Sequence, residues 1–415
     1  MHPRARSRIA QLAPVVAALV VTVACGGSSS TSGAALSGTF QVGILGPYSG
    51  PAAFVGDWFK HGAAVGLSEV NSTGPIKFSA IYGDTSNDPV DAVNAWHQLQ
   101  LQDPTYYIGP SAIVANAILP LYESAQKPDF TFAGSPAYDH MTYKYVYRVS
   151  PSDTELTTAM AGYALAKHLT NAVLMFSSSA GQQGEVAPLT QSFTGHGGKV
   201  LGTFQLSVNA TDYRSELTQA FALHPDVIFF SALAPQAQTL FTNWRQLGLP
   251  ETTWVSDDTG ADLTTVKGIG LETASKDVIG LTGSPPAGPA YTHFLDVYQR
   301  VYNSRQPVSM SASVYDSMVI AALAMIAANS SDPKVWVNKI TAVSNPPGQK
   351  VYTYADGVAA LKAGKKIDYE GAVGADDFNQ YHNIFSDYDA VQFDTSGNLH
   401  TVLTLTQAQL AQIAP

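Results

Sequence analysis

From Thr39 onward, short apolar runs alternate with longer stretches in which apolar residues recur at helical spacing. The runs read FQVGIL, IKFSAIY, YYI, FTF, AVLMF, VLGTFQL, VIFF and TWVS, at residues 40–45, 76–82, 106–108, 130–132, 172–176, 200–206, 227–230 and 253–256. Between the first four runs, residues 57–70, 91–102 and 112–125 have the periodicity of helices. Strand, helix and strand in this order predict an α/β fold with parallel sheets and crossover helices.

The alternation of strands and helices is interrupted at three places, and these interruptions predict two lobes. A tyrosine-rich segment at residues 143–153 precedes a new helix, and the character of the chain changes again at 280–289 and 372–378. Three crossings would join the lobes through a multi-segment hinge. We therefore expect lobe 1 to comprise residues 39–149 plus 284–374, and lobe 2 to comprise residues 150–283 plus 375–415.

The N-terminus has the parts of a secretory signal. Three arginines within the first eight residues precede an apolar stretch at residues 9–23, and small residues lead to Cys25, the only cysteine. The stretch is short for a membrane span, which needs about 20 apolar residues. A cysteine at this junction resembles a bacterial lipoprotein signal, although Thr22 occupies a position where such signals prefer a large aliphatic residue. An ordinary signal peptide and an uncleaved anchor are the alternatives.

We interpret residues 1–24 as a signal peptide, Cys25 as the acylated residue and residues 25–38, rich in Gly and Ser, as a flexible tether. This interpretation predicts an extracytoplasmic protein held at the cell membrane by a lipid anchor. A single cysteine allows no disulfide within the chain, so its stability must come from the hydrophobic core.

The charge of the chain and the motifs that it lacks argue against several classes of function. Only 13% of the residues are charged and the net charge is −10, without basic clusters, which argues against binding nucleic acid. The chain lacks HExxH, CxxC, GxSxG, GxxxxGK[ST] and a GxGxxG after a strand, and its histidines form no pair at i, i+3 or i+4. We therefore predict no enzyme, metal or cofactor. Only Asp257 and Asp258 would suit an acid pair or metal ligands.

Small and polar residues follow several predicted strands. The loop at 46–58 is rich in Gly and Pro, GPSA at 109–112 and AGSP at 133–136 follow strands three and four, and Asp258 follows TWVS. Ligands bind at this edge of parallel sheets, because helix N-termini present free N–H groups there. These residues predict a cleft that holds a carboxylate on one side and an ammonium on the other. The alternative is that they only cap helices.

Several ordered segments together resemble the branched-chain amino-acid (Leu/Ile/Val) type of ABC-transporter solute-binding protein. They lie at residues 42–71, 82–99, 107–124, 143–153, 224–249 and 345–378. The resemblance implies a type I periplasmic-binding-protein fold, with two Rossmann-like lobes, a hinge and a cleft that closes on one small ligand.

The resemblance also implies binding residues. The ligand's α-carboxylate would lie at Ser111 or Ala112 and at Ala133 and Ser135, and its α-ammonium at Asp258. Positions that line the ligand's side chain, where relatives often have tyrosine, match Val55, Ala180 and Leu233 here. Phe54 and Trp58 would supply replacement ring surface or pack on their own helix. Specificity does not transfer, since these positions differ.

The predicted function is capture of an amino-acid-like or amide ligand and its delivery to an ABC permease by a lipid-anchored, monomeric protein. A ligand-sensing module of the same fold, acting with a separate signalling partner, is the alternative. Genes for a permease and an ATPase beside this one would favour transport.

Overall fold

The computed structural model describes residues 35–50, 52–284 and 287–415. The predicted signal peptide, Cys25 and most of the tether lie outside these residues. The strands are β1 Gly38–Gly46, β2 Ile76–Asp84, β3 Tyr106–Ser111, β4 Asp129–Phe132, β5 Val146–Arg148, β6 Asn171–Ser177, β7 Lys199–Leu206, β8 Val227–Ser231, β9 Thr253–Ser256, β10 Val278–Gly283, β11 Gln349–Val351, β12 Ile367–Gly371, β13 Gly374–Ala375, β14 Tyr388–Phe393 and β15 Leu399–Leu405.

The helices connect these strands along the chain. They are α1 Ala53–Ser72, α2 Pro89–Gln100, α3 Ala115–Ala125, α4 Asp153–Ala166, α5 Ala180–Gly195, α6 Arg214–Phe221, α7 Ala234–Gln246, α8 Leu263–Ile269, α9 Leu271–Asp277, α10 Pro289–Tyr302, α11 Ser311–Ala328, α12 Pro333–Trp336, α13 Ile340–Ser344, α14 Tyr354–Lys362 and α15 Gln407–Ile413. Short 3-10 turns lie at Ala112–Val114, Pro136–Tyr138, Asp258–Ala261 and Val337–Lys339.

Two main sheets organise the chain. The first has the order β2-β1-β3-β4-β5 and all its strands are parallel. The second has the order β15-β14-β10-β9-β8-β6-β7, in which β14 runs antiparallel to β10 and β15. A small third sheet has the order β11-β12-β13. The predicted lobe boundaries, 39–149 plus 284–374 and 150–283 plus 375–415, remain a proposal.

Helices cover both faces of each main sheet, which explains why the strands are continuously apolar. In β8, Ile228 and Phe230 pack into one core cluster, while Val227 and Phe229 pack into the cluster on the opposite face. The eight predicted strands are confirmed. Parallel strands flanked by helices also confirm the predicted fold class.

Helix α11 is long and apolar enough to span a membrane, but 78% of its residues are buried within the protein. Its side chains pack with those of α1 and β1 in the core beside the first sheet. It is thus the central core helix of that half of the molecule.

The predicted helix at 112–125 is confirmed, and the strand before it is longer than predicted, since β3 continues beyond YYI through Ser111. A 3-10 turn follows before α3 begins at Ala115.

Candidate ligand-binding site

A cavity of about 590 Å³ opens where strand ends from both main sheets come together. Ala112 and Gly134 line it from the first sheet, and Asp258 and Thr282 line it from the second. The segments that cross between the sheets complete its walls, among them residues 149–153 and the loop before α11. This placement is the one expected for ligands of parallel α/β sheets.

The cavity wall is rich in hydroxyl groups and carboxylates. The two carboxylates are Asp153 and Asp258, and the hydroxyl-bearing residues are Ser150, Ser152, Thr282, Ser284, Ser309, Ser311, Ser313, Ser386, Tyr291 and Tyr388. Among the described residues that line the cavity, none is Lys, Arg or His. Its charged groups are therefore all acidic.

Asp257 and Asp258 have different environments although they are adjacent. Asp257 is buried, and its carboxylate accepts hydrogen bonds from the hydroxyls of Ser231, Ser256 and Thr259 and from the Thr259 N–H. Burial raises its pKa, while these hydrogen bonds act in the opposite direction. Asp257 therefore supports the 3-10 turn Asp258–Ala261, and Asp258 is the residue that reaches the cavity.

The Asp258 side chain is open to the cavity, but protein encloses its other sides. Desolvation, followed by the negative charges of Asp257 and Asp153, raises the pKa of Asp258 to about 7. The site thus gains an additional negative charge as the pH rises through neutrality.

Asp153 enters the cavity from the first turn of α4 and lies against the loop after β4. Its N–H donates to the Gly134 carbonyl at 2.8 Å. A Cβ placed on Gly134 would be 2.4 Å from Asp153 Oδ1, so the carboxylate touches this loop directly. Burial raises the pKa of Asp153 to about 6 despite the opposing effect of Arg148. From the sequence, Asp153 was only the last residue of the tyrosine-rich segment before a new helix.

Glu185 on α5 is a further acidic group that the sequence did not indicate. It is 7% exposed, and burial, together with the charges of Asp257, Asp153 and Asp258, raises its pKa to about 11. Its helix carries no motif that could have identified it. Across the described ranges, no three His, Cys, Asp or Glu residues are arranged to hold a metal ion.

The predicted anchors for a carboxylate lie at or beside the cavity. Ala112 lines it. Ser111 ends β3 with its hydroxyl buried and without a partner among the described residues. Ala133 is fully buried in a core cluster, and the Ser135 hydroxyl accepts from the Ala137 N–H at 3.4 Å, as a cap of the next 3-10 turn. The structure therefore brings Ala112 and Asp258 together on one cavity.

The residues predicted to surround the ligand's side chain lie outside this lining. Val55 is half-buried beside the first core, and Leu233 is 56% exposed at the start of α7. Trp58 packs edge-to-face on Phe54 within α1, with ring centroids 5.5 Å apart. Ala180 begins α5, but its side chain lies outside the described part of the chain.

Comparison with known proteins identifies relatives of this chain. The sequence model of the family described as periplasmic binding protein matches residues 39–398. A Leu/Ile/Val-binding protein homolog of Brucella abortus is 25% identical over 190 residues, 45% of this chain and 48% of that protein. The leucine-, isoleucine-, valine-, threonine- and alanine-binding protein of Pseudomonas aeruginosa is 22% identical, over 56% and 63%. The chain thus spans about half the length of the Brucella relative it matches.

Solved structures share the fold. A leucine-binding protein of Thermotoga maritima superposes with a TM-score of 0.70 at 18% identity, over 89% of this chain and 99% of that one. A solute-binding protein of an ABC transporter from R. palustris, in complex with benzoate, gives 0.67 at 16% identity, over 91% and 97%. These matches confirm the resemblance to solute-binding proteins of the branched-chain amino-acid type. Because the sequence identities to the solved structures are 18% and 16%, those structures show only that the fold is shared.

Proposed function

This chain belongs to the periplasmic binding protein family, and we propose from that premise that it captures a small amino-acid-like or amide ligand and delivers it to an ABC importer. The observation that carries the proposal is the cavity at the strand ends of both sheets, with the Asp258 carboxylate in its wall. A cavity of a few hundred Å³ suits a small organic ligand.

The proposed mechanism is binding without chemical change. Asp258 would hold an ammonium or amide nitrogen, and the loops at 111–112 and 133–135 would hold an oxygen. Walls from both sheets contact the same cavity, so a bound ligand favours the arrangement in which both reach it. A charge pair excluded from water is also stronger than one in solvent.

Replacing Asp258 with alanine should weaken binding of the best ligand about 100-fold, because a bound ammonium would lose its counter-charge. That ligand would first be found by thermal shift across amino acids, amides, ureas and small carboxylates, since a ligand at about 100 times its Kd adds about 2.7 kcal/mol of stability. Titration calorimetry then compares the variants. Asp91→Ala, at an exposed carboxylate on α2, is the control. Unchanged affinity in Asp258→Ala would exclude the ammonium role.

We also propose that the protein is extracytoplasmic and lipid-anchored through Cys25. A Cys25→Ser variant should leave the membrane fraction for the soluble fraction, because the acyl chains that provide membrane affinity would be missing. Fractionation and immunoblotting measure this change, with ligand affinity as the control for an intact fold. Retention of Cys25→Ser in the membrane fraction would contradict the lipid anchor.

A further inference from the structure

The cavity has a carboxylate at each of two walls. Asp258 reaches it from the end of β9, and Asp153 reaches it from α4, against Gly134. Within the described residues, neither carboxylate accepts a side-chain or backbone hydrogen bond from another residue. Both groups are therefore available to a ligand.

No positive group of the described lining offsets these charges. The positive charge of Arg148 lowers the pKa of Asp153, but Arg148 does not line the cavity. Its side chain is 1% exposed, and its Nη2 donates a hydrogen bond to Asp139 Oδ1 at 2.7 Å. The other terminal nitrogen, Nη1, faces the carbonyls of Gly134 and Ser135 at 3.5 and 3.4 Å. The two terminal nitrogens are thus engaged by the protein itself, whereas Nε is buried and has no partner among the described residues.

Further acidic groups lie behind the wall. Asp257 acts electrostatically on both Asp153 and Asp258. Glu185 is more than nine-tenths buried, and its Oε2 has no hydrogen-bond partner in the described chain. The carboxylates of Asp257, Asp153 and Asp258 act electrostatically on Glu185, so it lies near the acidic wall although it is not part of the cavity lining. Because burial keeps Glu185 protonated at neutral pH, the negative charge that faces the cavity comes from Asp153 and Asp258 in its lining, and this charge favours a cation.

We infer that the cavity selects an organic cation with a charged nitrogen at each end, of the diamine or basic amino-acid amide type, one nitrogen at Asp258 and the other at Asp153. This inference rests on the proposed function and narrows its ligand. A ligand carboxylate held by the loop at 133–135 would lie beside Asp153, where like charges repel. The hydroxyl groups of the wall suit ammonium hydrogen atoms as acceptors.

Binding of such a cation should release protons. The groups that act on Asp258 are Asp257, Asp153 and Asp262, and those that act on Asp153 are Arg148, Asp139 and Asp257. Glu185 on α5 and Tyr388 on β14 interact electrostatically with both carboxylates. Because the pKa of Asp153 is raised to about 6 and that of Asp258 to about 7, both bind protons in mildly acidic solution. A cation favours their ionised forms, so its affinity should rise between about pH 5 and pH 8.

Three ligands with the same five-carbon chain test the inference: 1,5-diaminopentane, 5-aminopentanoate and glutarate. Titration calorimetry at pH 7.5 should show the diamine binding at least tenfold more tightly than aminopentanoate, and no binding of glutarate. Affinity for the diamine should fall at least tenfold at pH 5.5. Asp153→Asn should reduce the diamine-to-aminopentanoate affinity ratio toward one, whereas Asp91→Asn should leave the ratio unchanged.

The outcomes separate the inference from the proposed function. If aminopentanoate or leucine binds as tightly as the diamine, the cation preference is wrong and the solute-binding function stands. The same holds if diamine affinity falls as pH rises, or if leucine alone binds. If neither these compounds nor the amino acids and amides of the thermal-shift screen bind, both proposals are wrong. Circular dichroism confirms that each variant is folded.

Discussion

Gly280→Ala should destabilise the protein by about 3 kcal/mol, although it adds only one methyl group. A Cβ on Gly280 would be 2.3 Å from the Gly260 carbonyl carbon and 2.4 Å from the Ala261 nitrogen. Both atoms belong to the backbone of the turn that carries Asp258, so no side-chain rotation can relieve the clash. Either β10 or this turn must move.

Urea denaturation of Gly280→Ala and Gly283→Ala measures the effect. Gly283 is in the same strand, and a Cβ there meets nothing within 4 Å, so its variant should change stability by less than about 1 kcal/mol. Gly280→Ala should also weaken ligand binding, because it displaces the turn. If the two variants had equal free energies of unfolding, the turn would have moved to accommodate the methyl group at little cost, and the prediction would be wrong.

Asp316→Ala should cost about 3–5 kcal/mol, because it leaves three donors without their acceptor in a buried region. Asp316 on α11 accepts from the Tyr369 hydroxyl at 2.8 Å and from the N–H groups of Ala372 and Val373, each at 2.9 Å. These bonds attach the central core helix to β12 and to the two residues that follow it. The side chain is fully buried, so water cannot replace it without local opening.

Ser317→Ala is the matched control for this prediction. Ser317 follows Asp316 on the same helix and is equally buried, but its hydroxyl donates only to the Ser313 carbonyl of its own helix, at 2.7 Å. Its loss should cost about 1 kcal/mol or less. A cost for Asp316→Ala no larger than that for Ser317→Ala, from denaturant midpoints, would contradict the importance of the three bonds.

The sequence predicts the parallel strands well because their burial on both faces makes each a continuous apolar run, as in β8. It does not reveal the antiparallel pair of β14 and β15, which follows the last strand–helix repeat. The predicted helix at 112–125 begins as a 3-10 turn at Ala112–Val114 and becomes α-helical at Ala115, a change that the apolar spacing does not reveal.

The site is predictable only in part. Asp258 could be found because it lies two residues after the end of β9. Asp153 and Glu185 could not, since their proximity to Asp258 depends on how α4 and α5 pack beside the crossing segments. Local spacing has no information on such contacts between distant elements. The acidic character of the cavity therefore becomes visible only in three dimensions.

The hydroxyl-rich wall has a consequence for the range of ligands. Each serine or threonine hydroxyl can turn to donate or to accept a hydrogen bond, so the wall can adjust to a new polar group without moving its backbone. The carboxyl groups of Asp153 and Asp258, in contrast, can never carry a positive charge. The cavity should therefore discriminate strictly between ligands of different charge. It should tolerate differences in the atoms between the charged groups, so one protein could bind several related ligands.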